Sequence, residues 1–175
     1  MAVAPLDFLR HPADPPTRPD AARGLFLSRQ GTWFHDGQRV DHARLSDLLH
    51  RSITRGVAGE LVVSTGLDAV PFVAEDAPVL VRALVVSPHA VDLVLSNGGH
   101  ETLGAVYIDA TGRLRAAVLH QRFWALFSRS ATQRLHELLD ENGDLHTSSY
   151  TGPVRSIADC DWSTPPDPGV LMAEV

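Results

Sequence analysis

Apolar and polar positions alternate in short bursts along most of the chain, and the period of each burst predicts an element. The segment "GTWFHDGQRV" reads as a small hairpin, with Thr32 to Phe34 extended, a turn at Asp36-Gly37 and a return strand. The period then becomes helical. Leu45, Leu48, Leu49 and Ile53 fall at i, i+3, i+4 and i+8, which places one apolar stripe on a helix from Asp41, a good N-cap, to about Arg55, before Gly56 stops it. A series of short, Val- and Leu-rich stretches follows: Leu61 to Ser64, Phe72 to Ala74, Val79 to Ser87, Ala90 to Ser96, Thr102 to Ile108 and Arg113 to Leu119. Turn signals at Ser87-Pro88-His89, Asn97-Gly98-Gly99 and Ala110-Thr111-Gly112 separate the later ones, which predicts a mostly antiparallel sheet.

From Gln121 to about Glu141, Phe123, Leu126, Phe127, Ala131, Leu135, Leu138 and Leu139 keep helical spacing until Asn142-Gly143. Ser130 with Gln133 makes a capping box, so the stretch reads as one helix or as two meeting at Ser128 to Ser130. Asp144 to Tyr150 reads as a final strand. A glycine, a short strand, an amphipathic helix and a further strand occur twice, over Gly31 to Ser64 and over Gly112 to Tyr150. The expected organisation is α+β, with two small sub-domains of repeated strand-helix-strand units at 24–87 and 88–158. A proline-rich arm at 1–23 holds five of the 12 prolines, with Leu6, Phe8 and Leu9 as its anchors, and a tail at 159–175 has Trp162 as its only large anchor.

Composition narrows the function classes. With 175 residues, 44% hydrophobic and 21% charged, the chain can bury a real core and falls among globular proteins. No apolar run approaches the roughly 18 residues that span a bilayer, and the N-terminus lacks the regions of a signal peptide. The single Cys160 cannot form an internal disulfide. These features predict a cytoplasmic protein with no membrane partner. A net charge of −6 argues against nucleic acid as a partner. All 15 basic residues are arginine, which removes Schiff-base and P-loop lysine chemistry.

The stretch "PFVAEDAPVLV" places Glu75 and Asp76 side by side between two apolar runs. Neighbouring side chains on a strand point to opposite faces, so the two acids fail the geometry of a catalytic pair. Asp76 suits local backbone N–H groups in a turn. Either acid could instead face a ligand. Arg82 interrupts the apolar run "VLVRALVV" and must reach water or a partner charge, for which Glu75 or Asp76 is the expected candidate. The nine histidines show no HExxH and no i, i+4 pair, so no metal and no cofactor are expected. No serine lies in a GxSxG elbow. Enzymatic activity is not expected.

Taken in order, "GTWFHDGQRV", "HARLSDLLHRSI", "STGLDAVPFVAEDAP" and "LHQRFWALFSRSATQRLHELL" resemble the bacterial family DUF1285, a domain of unknown function, over about Gly31 to Tyr150. Where that family usually has a Pro-Val-Glu segment and a Phe after Ala-Pro, this chain has Gly66-Leu67-Asp68 and Val79. The resemblance implies a two-domain α+β protein with repeated units, a second half superficially similar to pleckstrin-homology folds, and a nucleotide-like ligand at the seam with a signalling role. Such a ligand needs aromatic faces for its base, Arg forks or helix amides for phosphate, and carboxylates for ribose. Trp33, Phe34 and Trp124 are the aromatic candidates, Arg82, Arg122 and Arg129 the cationic ones, and Glu75 and Asp76 the acids. A protein-interaction module and an unrecognised hydrolase are the alternatives. Oligomeric state is left open.

Overall fold

Three consecutive apolar residues after Gly24 form the first strand, β1 (Leu25–Leu27), which no alternation announces because all three side chains are buried. The computed structural model describes residues 24–120, 122–142, 144–146, 151–157 and 160–167. The arm expected over 1–23 and its anchors Leu6, Phe8 and Leu9 lie outside these residues. The chain divides into two compact units, Met1–Pro78 and Val79–Val175.

In the first unit, β1 is followed by β2 (Trp33–His35), β3 (Gln38–Arg39), α1 (Ala43–Arg51), β4 (Ile53–Arg55), β5 (Leu61–Ser64) and β6 (Ala69–Ala74). The β2–β3 turn is the expected Asp36-Gly37 pair, with φ of 50° and 75°, left-handed values that a two-residue hairpin needs and that Asp and Gly tolerate. The helix differs from expectation at both ends. Its N-cap is His42, whose Nδ1 accepts the Leu45 amide at 3.3 Å, while Asp41 pairs with Arg39 at 3.0 Å. It stops at Ser52, and Ile53 and Thr54, β-branched, leave the expected stripe to pair with Val63 and Val62. The sheet order is β3-β2-β1-β6-β5-β4, with β1 and β6 parallel and the other pairs antiparallel. Trp33, Leu49 and Val63 are its fully buried centre.

The second unit contains β7 (Val79–Val86), β8 (Val91–Leu95), β9 (His100–Thr102), β10 (Tyr107–Ile108), β11 (Leu114–Val118), β12 (Phe123–Phe127), α2 (Arg129–His136), β13 (Asp144–His146), β14 (Thr151–Pro153) and β15 (Arg155–Ser156). Its main sheet runs β15-β10-β11-β12-β7-β8-β9, and β13 and β14 form a separate ribbon. Strand β7, expected in the first sub-domain, pairs here with β8 and β12, because the Ser87–Ala90 turn closes a hairpin rather than ending a domain. The long helix expected from Gln121 is instead a strand and a helix. "FWALF" has five buried residues in a row, a run compatible with either period, and Ser128 then caps α2 by accepting the Ala131 amide.

The architecture is thus α+β with two sub-domains, and a repeat is present, although in another place than the sequence suggests. Three strands in a meander, then three more, with the first and last parallel neighbours, describe both β1–β6 and β7–β12. The helices do not correspond: α1 connects the two meanders of the first unit, whereas α2 follows the last strand of the second.

Candidate functional site

Parallel pairing of first and last strands brings their C-terminal ends together, and whatever follows each strand meets there. In the first unit, β1 leads into a tight turn in which Gly31 donates to the Ser28 carbonyl and Thr32 to the Ser28 Oγ. Strand β6 ends beside it, and the Glu75 amide extends the ladder by donating to the Leu27 carbonyl at 2.9 Å. Arg29, carried by the turn, therefore faces Glu75-Asp76. Its Nε lies 3.2 Å from Asp76 Oδ2, its Nη2 3.7 Å from Glu75 Oε1, and its amide donates to Glu75 Oε2 at 2.9 Å. Asp76 is the buried member, with 2% of its side chain exposed against 36% for Glu75. Its Oδ1 accepts the adjacent Ala77 amide at 2.7 Å, the local role its residue type suggests. Among the described residues, the guanidinium that meets both acids is Arg29, not Arg82.

In the second unit the same position carries the same ladder bond and opposite chemistry. The Ser128 amide donates to the Val81 carbonyl at 2.9 Å, as Glu75 does to Leu27. Ser128 and Ser130 then aim their hydroxyls at the Arg82 carbonyl, at 3.2 and 3.4 Å. This ties the first turn of α2 to β7 beside Arg82. Arg82 and Arg129, the first residue of α2, are both exposed, neither has an ion-pair partner among the described residues, and the first turn of α2 holds no acid. The backbone of Arg82 and the start of α2, where Arg129 stands, are thus held together at the positive end of the helix dipole, with no acid in the first turn.

The other expected site residues fall elsewhere. Arg122 is exposed at the opposite end of β12, about 20 Å of extended chain from Arg129, so the two do not share one small anion. Trp33 and Trp124, expected as stacking faces, are core residues. Trp33 meets Phe72 and His50 edge-on, at 5.0 and 5.5 Å between ring centroids, and its Nε1–H is buried without a hydrogen-bond partner among the described residues. Phe34 is half-buried against Phe26 at 6.2 Å.

Sequence reasoning missed a buried cluster in the second unit. Asp109 Oδ1 accepts the Thr111 hydroxyl at 2.6 Å and the Thr111 and Arg113 amides, while Oδ2 accepts from Arg113 Nε and Arg115 Nε at 3.1 and 2.9 Å and lies 2.8 Å from Arg115 Nη2 as an ion-pair contact. Both Asp109 and Arg115 side chains are fully buried. Burial pushes the Asp109 carboxyl up, but hydrogen bonds from Thr111, Arg113 and Arg115, with the Arg115 charge, outweigh it and hold the group at about 2. The Trp162 ring covers the Arg115 guanidinium at 3.6 Å. Among the described residues, no three His, Cys, Asp or Glu side chains converge as a metal site, and no helix is long and apolar enough to cross a membrane.

These features define a two-unit α+β protein whose units repeat one six-strand topology and whose exposed charge differs at the two equivalent strand junctions. That fold is shared with a DUF1285 family protein from Silicibacter pomeroyi DSS-3, which is 22% identical, with 88% of each chain aligned and a TM-score of 0.62. A DUF1285 family protein from Shewanella baltica OS155 aligns over 60% of this chain and 84% of its own, at 20% identity and a TM-score of 0.44. No family model and no curated protein matches the chain. The chain has the fold of the family its ordered motifs resemble.

Proposed function

We propose that the protein is a non-enzymatic, regulatory binding protein for a nucleotide-like ligand, whose phosphate sits at the first turn of α2 beside Arg82 and Arg129. The observation that carries this reading is the pair of exposed arginines, unpaired among the described residues, flanking an acid-free helix start in a chain of net charge −6. Helix N-terminal amides and guanidinium forks both favour phosphate oxygens. The equivalent junction of the first unit is closed by its own Arg29 and, among the described residues, offers no free cation for an anion.

The test is a thermal-shift and titration screen against mono-, di-, cyclic and dinucleotides. A nucleotide at about 100 times its dissociation constant adds roughly 2.7 kcal/mol, or about 5 to 10 °C for a chain of this size. Arg82→Ala and Arg129→Ala should each abolish the shift, and Arg122→Ala should leave it intact. A flat screen, or a shift that depends on Arg122 alone, overturns the reading.

A protein-interaction module is the second reading, and it draws on Val85 and Val86, exposed by 49% and 42% at the end of β7. Val85→Ser with Val86→Ser should then abolish a partner's binding without touching nucleotide shifts.

A further inference from the structure

Strand β7 outruns one of its two neighbours. Its parallel ladder with β12 covers Val79 to Val81 and stops there, because Ser128 turns the chain into α2, while β7 continues to Val86 with only β8 beside it. The first unit has no such overhang, since all three residues of β1 pair with β6. The register shows which backbone groups the overhang leaves open. The Ser87 amide donates to the Ala90 carbonyl, so this is a hydrogen-bonded pair, and antiparallel alternation makes Val86↔Val91 and Leu84↔Leu93 non-hydrogen-bonded ones. Val91 agrees, as its carbonyl is turned the other way and accepts the Leu103 amide at 2.8 Å. The N–H and C=O groups of Leu84 and Val86 therefore point away from β8 into the gap that β12 leaves, and they meet no hydrogen-bond partner among the described residues. Ala83, Val85 and Val86 are exposed along this edge. One end of the gap is closed, because β12 fills the place beside Val81 and the hydroxyls of Ser128 and Ser130 hold the Arg82 carbonyl. Exposed Arg82 and Arg129 stand on the two elements that meet at this end, and neither has an ion-pair partner among the described residues.

We propose that the free edge of β7 from Ala83 to Val86 takes the C-terminal end of an apolar peptide as an added antiparallel strand, with the peptide's terminal carboxylate at Arg82 and the start of α2. Two outward donor–acceptor pairs, two residues apart on one strand, are what an added strand bonds to, and the exposed valines offer contact to its side chains. The closed end decides which part of a partner fits. A strand lying in the gap cannot run on past Val81, so it ends there. If it is antiparallel to β7 it brings its carboxyl terminus to the two arginines and the positive end of the helix dipole, whereas a parallel strand would bring its amino terminus to the same cations. This site shares Arg82 and Arg129 with the nucleotide reading, so carboxylate and phosphate exclude one another there, but the strand edge belongs to the peptide alone.

The experiment uses the full chain and a pool of acetylated hexapeptides whose last four residues are Val, Ile, Leu or Thr, supplied with a free C-terminal carboxylate and, separately, as the C-terminal amide. Hydrogen exchange is read at the Leu84 and Val86 amides. The carboxylate pool should slow both at least about tenfold, and the amidated pool should bind at least about tenfold more weakly through loss of its charge-assisted contact. Arg82→Ala leaves the strand edge intact and should bring the two pools level. Val86→Pro removes an outward N–H that the β8 ladder does not use, and should abolish binding of the carboxylate pool. Exchange at Leu84 and Val86 that neither pool changes overturns the proposal. Equal binding of both pools by the unaltered chain overturns it too, as does protection that rises with protein concentration alone, which marks a second copy on the edge. A nucleotide-induced thermal shift beside two inactive pools sinks the peptide site and leaves the nucleotide reading standing.

Discussion

The carboxylate of Glu101 accepts the backbone amide of Leu119 at 2.6 Å. Glu101 sits on β9, and Leu119 begins the β11–β12 turn, with β8, β7 and β12 between them in the sheet order. Flat strands would put β9 and β12 about 14 Å apart, so this bond requires a sheet that curls strongly enough to bring its edge back to one of its own turns. The turn is strained as well, since Leu119 and His120 take φ of 54° and 58° without being glycine.

Two substitutions separate these effects. Glu101→Ala should destabilise the chain by about 1 to 3 kcal/mol, because a charge-assisted bond to a backbone amide is lost. His120→Gly should stabilise by up to about 1 kcal/mol by relieving the left-handed residue. Chemical denaturation of the two variants and the double variant measures both.

Acid should unfold the second unit through Asp109. Its carboxyl is lowered from 3.8 to about 2 in the folded chain. A depressed folded value means that the contribution is fully present above 3.8 and is lost as pH falls through about 2, and the difference amounts to about 2 kcal/mol. Stability measured from pH 5 to pH 2 should therefore fall, and Asp109→Asn should flatten that part of the profile. The variant should also be less stable at neutral pH by about 3 to 5 kcal/mol, since it takes the Asp109 carboxylate away from the buried Arg115 guanidinium.

Arg29 and Arg82 should behave oppositely. Removing Arg29 takes an ion-pair partner from Asp76, whose side chain is only 2% exposed, so Arg29→Ala should destabilise by about 1 to 3 kcal/mol. Arg82→Ala should stay within about 0.5 kcal/mol, as its exposed side chain supports nothing in the fold. Thermal or urea melts of the two variants make the comparison directly. Equal losses would contradict the assignment of Arg29 as the structural cation and Arg82 as the free one.

Trp33 gives a fourth comparison. Its indole N–H is buried with no hydrogen-bond partner among the described residues, so Trp33→Phe sheds an unsatisfied donor while losing part of the ring. It should cost clearly less than Trp33→Ala, for which about 3 to 5 kcal/mol is expected.

Elements bounded by turn residues were legible in the sequence. Leu61 to Ser64 is a strand over that same span, β7 and β8 end within a residue of expectation, and Asn97-Gly98-Gly99 makes its hairpin turn, with Asn97 Oδ1 accepting the Gly99 amide. What stayed hidden depends on pairing between distant strands. Strand β1 is too short and too uniformly apolar to show a period, and without it the parallel junction with β6 cannot be drawn, nor can Arg29 be set against Glu75 and Asp76. The "FWALF" run satisfied helical spacing because a strand buried on both faces has no alternation to betray it. An arginine inside an apolar run must reach water or a partner charge, and Arg82 reaches water rather than Glu75 or Asp76. Arg115 in "LRAAV" breaks its run in the same way, and Asp109 two residues ahead of Thr111 in a Gly112 turn was the local signal that a partner stood ready.

The order of the strands has a consequence for biosynthesis. By Phe127 six of the seven strands of the second sheet have been made, with Asp109, Arg115 and Trp124 in place, while the edge strand β15 and the ring that shields the Arg115 guanidinium are translated later. On the ribosome this sheet passes through a stage in which one aromatic and cationic face is open to whatever its surroundings present, and the arrival of Trp162 ends it.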